Sequence, residues 1–323
     1  KAFYGREAVG EPLRVGAHCG VVNYEPTELV ITARGGTPLH DVEAVLAEHN
    51  QIFAFEPPYF GDAATLGGVV ATGLSGPRRP FAGSVRDYVL GCKVLTGKGE
   101  MLSFGGQVMK NVAGYDVSRL MVGAMGTLGV LLEVSLKVLP APAAEATLCF
   151  EMETARSLRA MNQWAGLSLP LSALCYDGAR VYVRLSGSAR AVAEARGKLG
   201  GELLVDAAKF WEDLREMRLP YFQSEMNLWR ISGAPAAPEL KLDGRWLYDW
   251  GGAQRWLLSD ERAGQVFDAA AHGGGHATLF RGRRRDRGVF QPLTEKHMAL
   301  QRGLKRAFDP SGILNAKRMY DEW

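Results

Sequence analysis

Histidine and cysteine are scarce in this sequence, with six and four residues in a chain of 323. Cys19, Cys92, Cys149 and Cys175 never fall as Cys-x-x-Cys, so neither an iron–sulfur cluster nor a structural zinc is read for this chain. Thiols scattered in this way fit a reducing cytoplasm better than a disulfide framework. No run of about 18 apolar residues offers a membrane span, and the start does not read as a signal peptide. The opening "KAFYGRE" carries no initiator Met, and further residues are expected upstream. A formal net charge of +3 without a long basic stripe argues against a nucleic-acid partner. The chain also lacks internal repeats and the Gly-x-x-x-x-Gly-Lys-Ser/Thr string of a Walker loop.

Glycine is plentiful. The chain has 39 glycines in 323 residues, well above the typical ~7%. They have no period, which excludes collagen-like readings, and they gather in a few loops. The densest is "ATLGGVVATGLSGPRRPFAGSVRD", Ala64 to Asp87, which has no acidic residue before Asp87. Apolar residues make up 47% of the chain, enough for a sizeable core. The length suits two domains, or one with an insertion.

Patterning supplies the elements. "ELVITAR" reads as a strand and "TPLHDVEAVLAEHNQ" as a helix, with Thr37 as N-cap and Pro38 at the first helical position. "DYVLGCKVLTGKGEMLSF" reads as a hairpin turning at Gly97–Gly99, and "YDVSRLMVGAMG" as a short helix. Strict alternation from Leu128 to Val138 predicts a strand with one buried face. Pro140 and Pro142 mark a domain boundary. Beyond it, strand, helix, a hairpin tipped by Asp177-Gly178, and a helix stopped at Gly200 suggest an α+β module. "NLWRIS", "WLYDWGGAQRWLL" and "ATLFRG" read as further strands, and "TEKHMALQRGLKRAF" as the last helix.

Glycine-rich loops commonly hold phosphates, because bare backbone N–H groups face the anion. A Rossmann site places its glycines between a strand and a helix. Here "GAMGTLG" follows a helix and precedes a strand, so that fold is excluded. Glycines serving only turns and tight packing remain the alternative to a ligand site.

Three long stretches carry a resemblance: "ATLGGVVATGLSGPRRPFAGSVRDYVLGCKVLTGKGE", "QVMKNVAGYDVSRLMVGAMGTLGVLLEVSLKVLP" and "DPSGILNAKRMY". Together they resemble the vanillyl-alcohol oxidase, or PCMH-type, family of FAD-binding flavoproteins, and within it the FAD-binding subunits of bacterial glycolate oxidases. "YEPTELVITARGGTPL", "EPPYFG", "LYDWGGAQRWL" and "GGHATLF" extend the likeness nearly end to end. The resemblance implies an α+β chain: a PCMH-type FAD-binding domain of two α/β subdomains (1–142), a smaller α+β cap domain (143–270), and a C-terminal segment (271–323) returning to the FAD domain. It implies non-covalent FAD beside Pro57 and Pro58, with Thr65, Gly67, Gly68, Thr72, Gly73 and Ser75 along the pyrophosphate and ring. Gly83, Ser84, Arg86 and Asp87 would form the next loop. Gly126, Thr127, Gly129 and Val130 would lie near the ribityl and adenosine part, and Asn315 would approach the flavin. The family's pyrophosphate loop should end just before "KAFYG", so the FAD domain is expected to be N-terminally truncated here.

Oxidation of a small 2-hydroxy acid needs a cation for the carboxylate and a base for the hydroxyl proton. Arg78, Arg79, Arg86 and Lys110 are candidate cations, and His276 and Tyr115 candidate bases. Structural ion pairs or phosphate contacts are the alternative for each arginine. His272 and His276 flank three glycines, a poor helix for a metal-binding pair, and no metal is expected. Such sparse catalytic histidines favour a flavin-carrying subunit that passes electrons between a catalytic flavin subunit and an iron–sulfur subunit of a glycolate oxidase. The alternatives are a stand-alone FAD-dependent dehydrogenase of glycolate or D-lactate, and a scaffold subunit that has lost flavin. The expected setting is cytoplasmic, with peripheral association at the inner face of the cell membrane through the complex as a variant. "RGRRRDRG", from Arg281, reads as a solvated loop, with docking to an acidic partner or anionic membrane as its alternative.

Overall fold

The computed structural model describes residues 3–7, 9–106, 116–283 and 288–321. The chain forms two compact units, one of residues 1–75, 83–141 and 293–323, the other of residues 76–82 and 142–292.

The first unit is built on apolar strands of the sequence's first half. Its elements in chain order are β1 (Val21–Glu25), β2 (Val30–Arg34), α1 (Leu39–Ala47), β3 (Gln51–Ile52) and α2 (Leu66–Thr72). The short helix α3 (Arg79–Ala82) belongs to the second unit. Then follow α4 (Val85–Tyr88), β4 (Val89–Leu95), β5 (Met101–Gly105), α5 (Val117–Leu120), β6 (Val130–Lys137) and β7 (Leu139–Pro140). Five strands form one antiparallel sheet in the order β1-β2-β6-β4-β5, and β3 pairs with β7.

Three local readings need correction. Pro38, not Thr37, caps α1. The buried Thr37 hydroxyl instead accepts from Gly20 N–H (2.9 Å) and donates to the Arg34 carbonyl (2.7 Å), tying two strand ends together. The alternation of β6 is broken by a bulge: β4 pairs Lys93 with Glu133 and then Val94 with Leu131, so Leu132 has no opposite number. The buried apolar residues are accordingly Leu128, Leu131, Val134, Leu136 and Val138. The glycine-rich stretch, read as loop, holds the two-turn helix α2, started by the Thr65 hydroxyl and ended by left-handed Gly73 (φ +65°).

The second unit carries one eight-stranded antiparallel sheet. Its elements are β8 (Ala144–Glu151), α6 (Thr154–Ala165), β9 (Leu171–Tyr176), β10 (Arg180–Gly187), α7 (Ala189–Leu199), β11 (Glu202–Leu203), α8 (Ala207–Arg215), β12 (Leu228–Ser232), β13 (Arg245–Asp249), β14 (Gln254–Leu258), α9 (Ala263–His272) and β15 (His276–Arg281). The strand order is β11-β8-β10-β9-β13-β14-β12-β15. Leu158 and Met161 of α6 and Val192 of α7 pack on Val181, Val183 and Tyr248, while Val266 and Phe267 of α9 pack on Trp229, Ile231 and Leu257. Strand β15 takes the chain past 270, where the return to the first unit was expected, and that return starts at Leu293. Helix α10 (Glu295–Phe308), capped by Thr294, then completes the first unit.

Candidate functional site

In the first unit, the expected cofactor positions divide by what holds each one. Gly67 N–H donates to the Gly35 carbonyl (2.8 Å), and a Cβ at Gly67 would stand 2.7 Å from that oxygen. Gly129 would collide with Val94, so chain-to-chain packing alone requires both glycines. Gly68 differs: a Cβ there meets only the Thr65 hydroxyl, at 3.2 Å, and otherwise faces open space. Leu66, Gly67 and Gly68 N–H already have acceptors in the Thr37 and Gly35 carbonyls and the Thr65 hydroxyl. The first turn of α2 therefore offers bare surface rather than free donors.

Around α2 the structure gathers much of what the sequence reading grouped. Gly123 N–H donates to the Val70 carbonyl and Met125 N–H to the Ala71 carbonyl, which joins the 122–129 loop to the helix. Asn315 Nδ2 donates to the Met125 carbonyl (2.7 Å), and a Cβ on Gly126 would press on that amide. Met125 and Asn315 both hold positive φ (+53° and +43°), as do Glu56 and Phe60 on either side of Pro57 and Pro58. Non-glycine residues in that region are strained, and such strain gathers where surrounding structure fixes a site. Lys305 of α10 anchors the loop from behind: its Nζ donates to the Thr127 carbonyl (2.8 Å), the Leu314 carbonyl (2.6 Å) and the Asp309 carboxylate (2.6 Å). Gly123, also at positive φ (+79°), has nothing within 4 Å of where a Cβ would stand. Bare backbone at Gly68 and Gly123, with strained loops fixed around α2, is a cradle that side chains would fill, and it fits a flat ligand such as flavin.

Other expected contacts have structural partners. Thr72 Oγ1 donates back to the Gly68 carbonyl, Ser75 accepts from Val85 N–H, and Ser84 with Asp87 forms the capping box of α4. Asp87 also approaches Gly83, while Arg86 is exposed. Val130 opens β6. Lys110 and Tyr115 lie outside the described residues.

The second unit holds the remaining catalytic candidates. Arg78 is engaged by Glu145 and by the Ser186 hydroxyl (3.0 Å) and is only 11% exposed, so it takes the structural alternative. Arg79 stands with its guanidinium carbon 4.3 Å from the centroid of the Trp250 ring, and Arg230 of β12 stands 5.5 Å from the same ring. Trp250 is itself unusual: it is buried, has φ +54°, and its indole N–H donates to the Gly76 carbonyl (3.0 Å). Register places His276 opposite Ser232, two residues along from Arg230. Burial, with Arg230 adding to it, holds the His276 imidazole below its ordinary pKa of 6.5. His272 is the last residue of α9 and His276 the first of β15. The sequence reading missed Arg230, Trp250 and Lys305. A Gly-Gly pair after Asp-Trp inside strand-like text was the available signal for the turn that presents Trp250.

Comparison with known proteins adds the family. The FAD binding domain family matches residues 6–105. The glycolate oxidase subunit GlcE of Escherichia coli is 49% identical over 322 residues, which cover 100% of this chain and 91% of that protein. A D-lactate dehydrogenase of Anaerostipes hadrus is 34% identical over 134 residues, covering 41% of this chain but only 28% of that enzyme. Among solved structures, a 4-ethylphenol oxidase of Gulosibacter chungangensis shares the fold at TM-score 0.68 and 13% identity, covering 96% of this chain and 80% of that one. An alkyldihydroxyacetonephosphate synthase does so at TM-score 0.66 and 16% identity, covering 96% and 69%. The cofactor of this α+β, PCMH-type fold is FAD. The chain belongs to the family of the glycolate oxidase subunit GlcE and is an FAD-dependent oxidoreductase.

Proposed function

We propose that this chain is the FAD-carrying subunit of a multi-subunit glycolate oxidase, passing electrons between a catalytic flavin subunit and an iron–sulfur subunit. The observation that carries the reading is the 49% identity to GlcE across the whole chain. FAD, when bound, supplies hydride and single-electron acceptance. Gly68 and Gly123 would give the cofactor bare backbone to lie against, and the Asn315–Met125 bond and Lys305 would fix the loop beside it. Thr65, Gly67, Thr72, Gly73, Ser75, Gly83, Thr127 and Gly129 would shape that cradle through caps and packing. The setting proposed is cytoplasmic, with the complex reaching the membrane face peripherally. No helix among the described residues is long and apolar enough to cross a membrane.

A second reading, a dehydrogenase acting alone on glycolate or D-lactate, draws on Arg79, Arg230 and His276 in one unit. Anaerobic spectroscopy separates the two. The FAD-loaded chain should show a flavin band near 450 nm that glycolate leaves unbleached over seconds and that bleaches once the partner subunits are added. Rapid bleaching in the isolated chain would make it a dehydrogenase in its own right, and a protein that never holds the band would be a scaffold.

A further inference from the structure

Arg318 is 8% exposed, and burial pulls its guanidinium below the ordinary arginine pKa. A cation keeps such a place only where hydrogen bonds replace its lost water. Nη2 of Arg318 donates to the Tyr4 carbonyl (2.6 Å) and Nη1 to the Arg6 carbonyl. Arg6 N–H donates back to the Arg318 carbonyl (3.0 Å). The planar fork thus spans the two carbonyls on either side of Gly5, which a single ammonium group does not match.

Gly5, at φ +93°, is what the fork frames. A Cβ there would stand 2.4 Å from Met125 Cε and 3.3 Å from Arg318 Nε. Residues 4–6 are therefore pressed against the Met125 side chain, with no room for a methyl group. Met125 is itself 6% exposed and strained (φ +53°). Its N–H donates to the Ala71 carbonyl of α2 (2.8 Å), and its carbonyl accepts from Asn315 Nδ2 (2.7 Å). Arg318 reaches Asn315 as well, for its backbone N–H donates to the Asn315 carbonyl (3.1 Å). Asn315 and Lys317 both hold positive φ (+43° and +59°), so the turn between Asn315 and Arg318 persists only where its surroundings fix it. Residues 4–6, Met125, Asn315 and Arg318 close a ring of contacts, all inside the first unit. The loop that this ring holds also carries Gly123, whose bare backbone forms one side of the cradle.

We propose that Arg318 is a positioning residue for FAD. Its fork on the Tyr4 and Arg6 carbonyls holds the Asn315–Met125 bond, and through that bond the 122–129 loop, where the cofactor needs them. Arg318 acts through Asn315 and Met125 rather than by touching the ligand. The proposal rests on the reading of α2 and this loop as the cofactor cradle.

The test is titration of the flavin-free full chain with FAD, followed by flavin fluorescence, in Arg318→Lys, Asn315→Ala and the double variant. Arg318→Lys keeps the charge and reaches one carbonyl at a time. Each single variant should weaken FAD at least fivefold. The double variant should bind no more than about twofold worse than the weaker single one, because both changes open the same ring. The bound flavin's band near 450 nm should change its shape alike in both single variants, which lowered stability alone would not cause. Gly5→Ala, pressing on Met125 with Arg318 intact, should reproduce that spectral change. Parent-like FAD affinity in Arg318→Lys would overturn the proposal, as would losses that multiply in the double variant. So would a lower melting temperature of the flavin-free chain with affinity and spectrum unchanged. FAD affinity untouched by both Gly68→Val and Asn315→Ala would overturn the cradle itself, and the proposal with it.

Discussion

Gly67 and Gly68 are adjacent, look alike in sequence, and face different surroundings. A methyl on Gly67 would sit 2.7 Å from the Gly35 carbonyl, whereas one on Gly68 meets only the Thr65 hydroxyl, at 3.2 Å. Gly67→Ala should therefore destabilise the fold by about 1–3 kcal/mol, the usual cost of overpacking, seen as a lower melting temperature even without FAD. Gly68→Val should leave apo stability close to the parent and reduce FAD affinity at least tenfold, because its side chain would fill the open side of α2 where FAD is proposed to lie. Normal flavin stoichiometry in a well-folded Gly68→Val protein would remove α2 from the cofactor site. The sequence showed that bare backbone was needed here. It could not show which glycine packs on backbone and which faces open space, because that depends on Gly35, thirty-two positions away.

Elements were legible where the pattern is local. The hairpin at Asp177-Gly178, the helix ended at Gly200 and the C-terminal helix all follow from spacing and turn chemistry, and all three are present. What was not legible depends on partners: the β6 bulge is set by β4, and Thr37 gives up its cap to join Gly20 and Arg34. Val134, fully buried beyond the bulge, tests the strand. Val134→Asp places an unpaired charge in the core and should cost on the order of 3 kcal/mol or more, and a melting temperature within a degree or two of the parent would refute the assignment. Lys305 tests the link from α10 to the loop at Thr127. With the Asp309 side chain fully buried, Lys305→Met leaves a carboxylate without its cation and should cost about 3–5 kcal/mol. Burial alone would raise the Asp309 pKa, but Lys305 and the N–H groups of Leu314 and Ile313 outweigh it and hold the carboxyl below 3.8. A depressed folded-state pKa contributes stability that is present above about pH 4 and lost as pH falls through the folded value. The stability gap between the parent and Asp309→Asn should accordingly hold from pH 7 to 5 and narrow below pH 4, read from melting temperatures across that range.

At the scale of the whole molecule, each unit has its own sheet, and every expected cofactor position lies in the first. Of the described catalytic candidates, Arg78, Arg79 and His276 lie in the second, where the sequence reading could not group them because Arg230 and Trp250 come from separate strands and turns. A ligand stabilises only the folded state that binds it, by about 2.7 kcal/mol at a hundred times its dissociation constant. For a unit of this size that corresponds to a rise of roughly 5–10 °C in its melting temperature. Calorimetry of the chain with and without FAD should resolve two transitions, of which FAD moves one. Val134→Asp should lower that transition, and Leu174→Ala, a substitution at a fully buried position in the second unit's core, should lower the other. Creating that cavity should cost about 2–5 kcal/mol, enough to tell the transitions apart. If FAD and both substitutions displace a single transition together, the chain unfolds as one cooperative block and the assignment of a separate transition to each core fails.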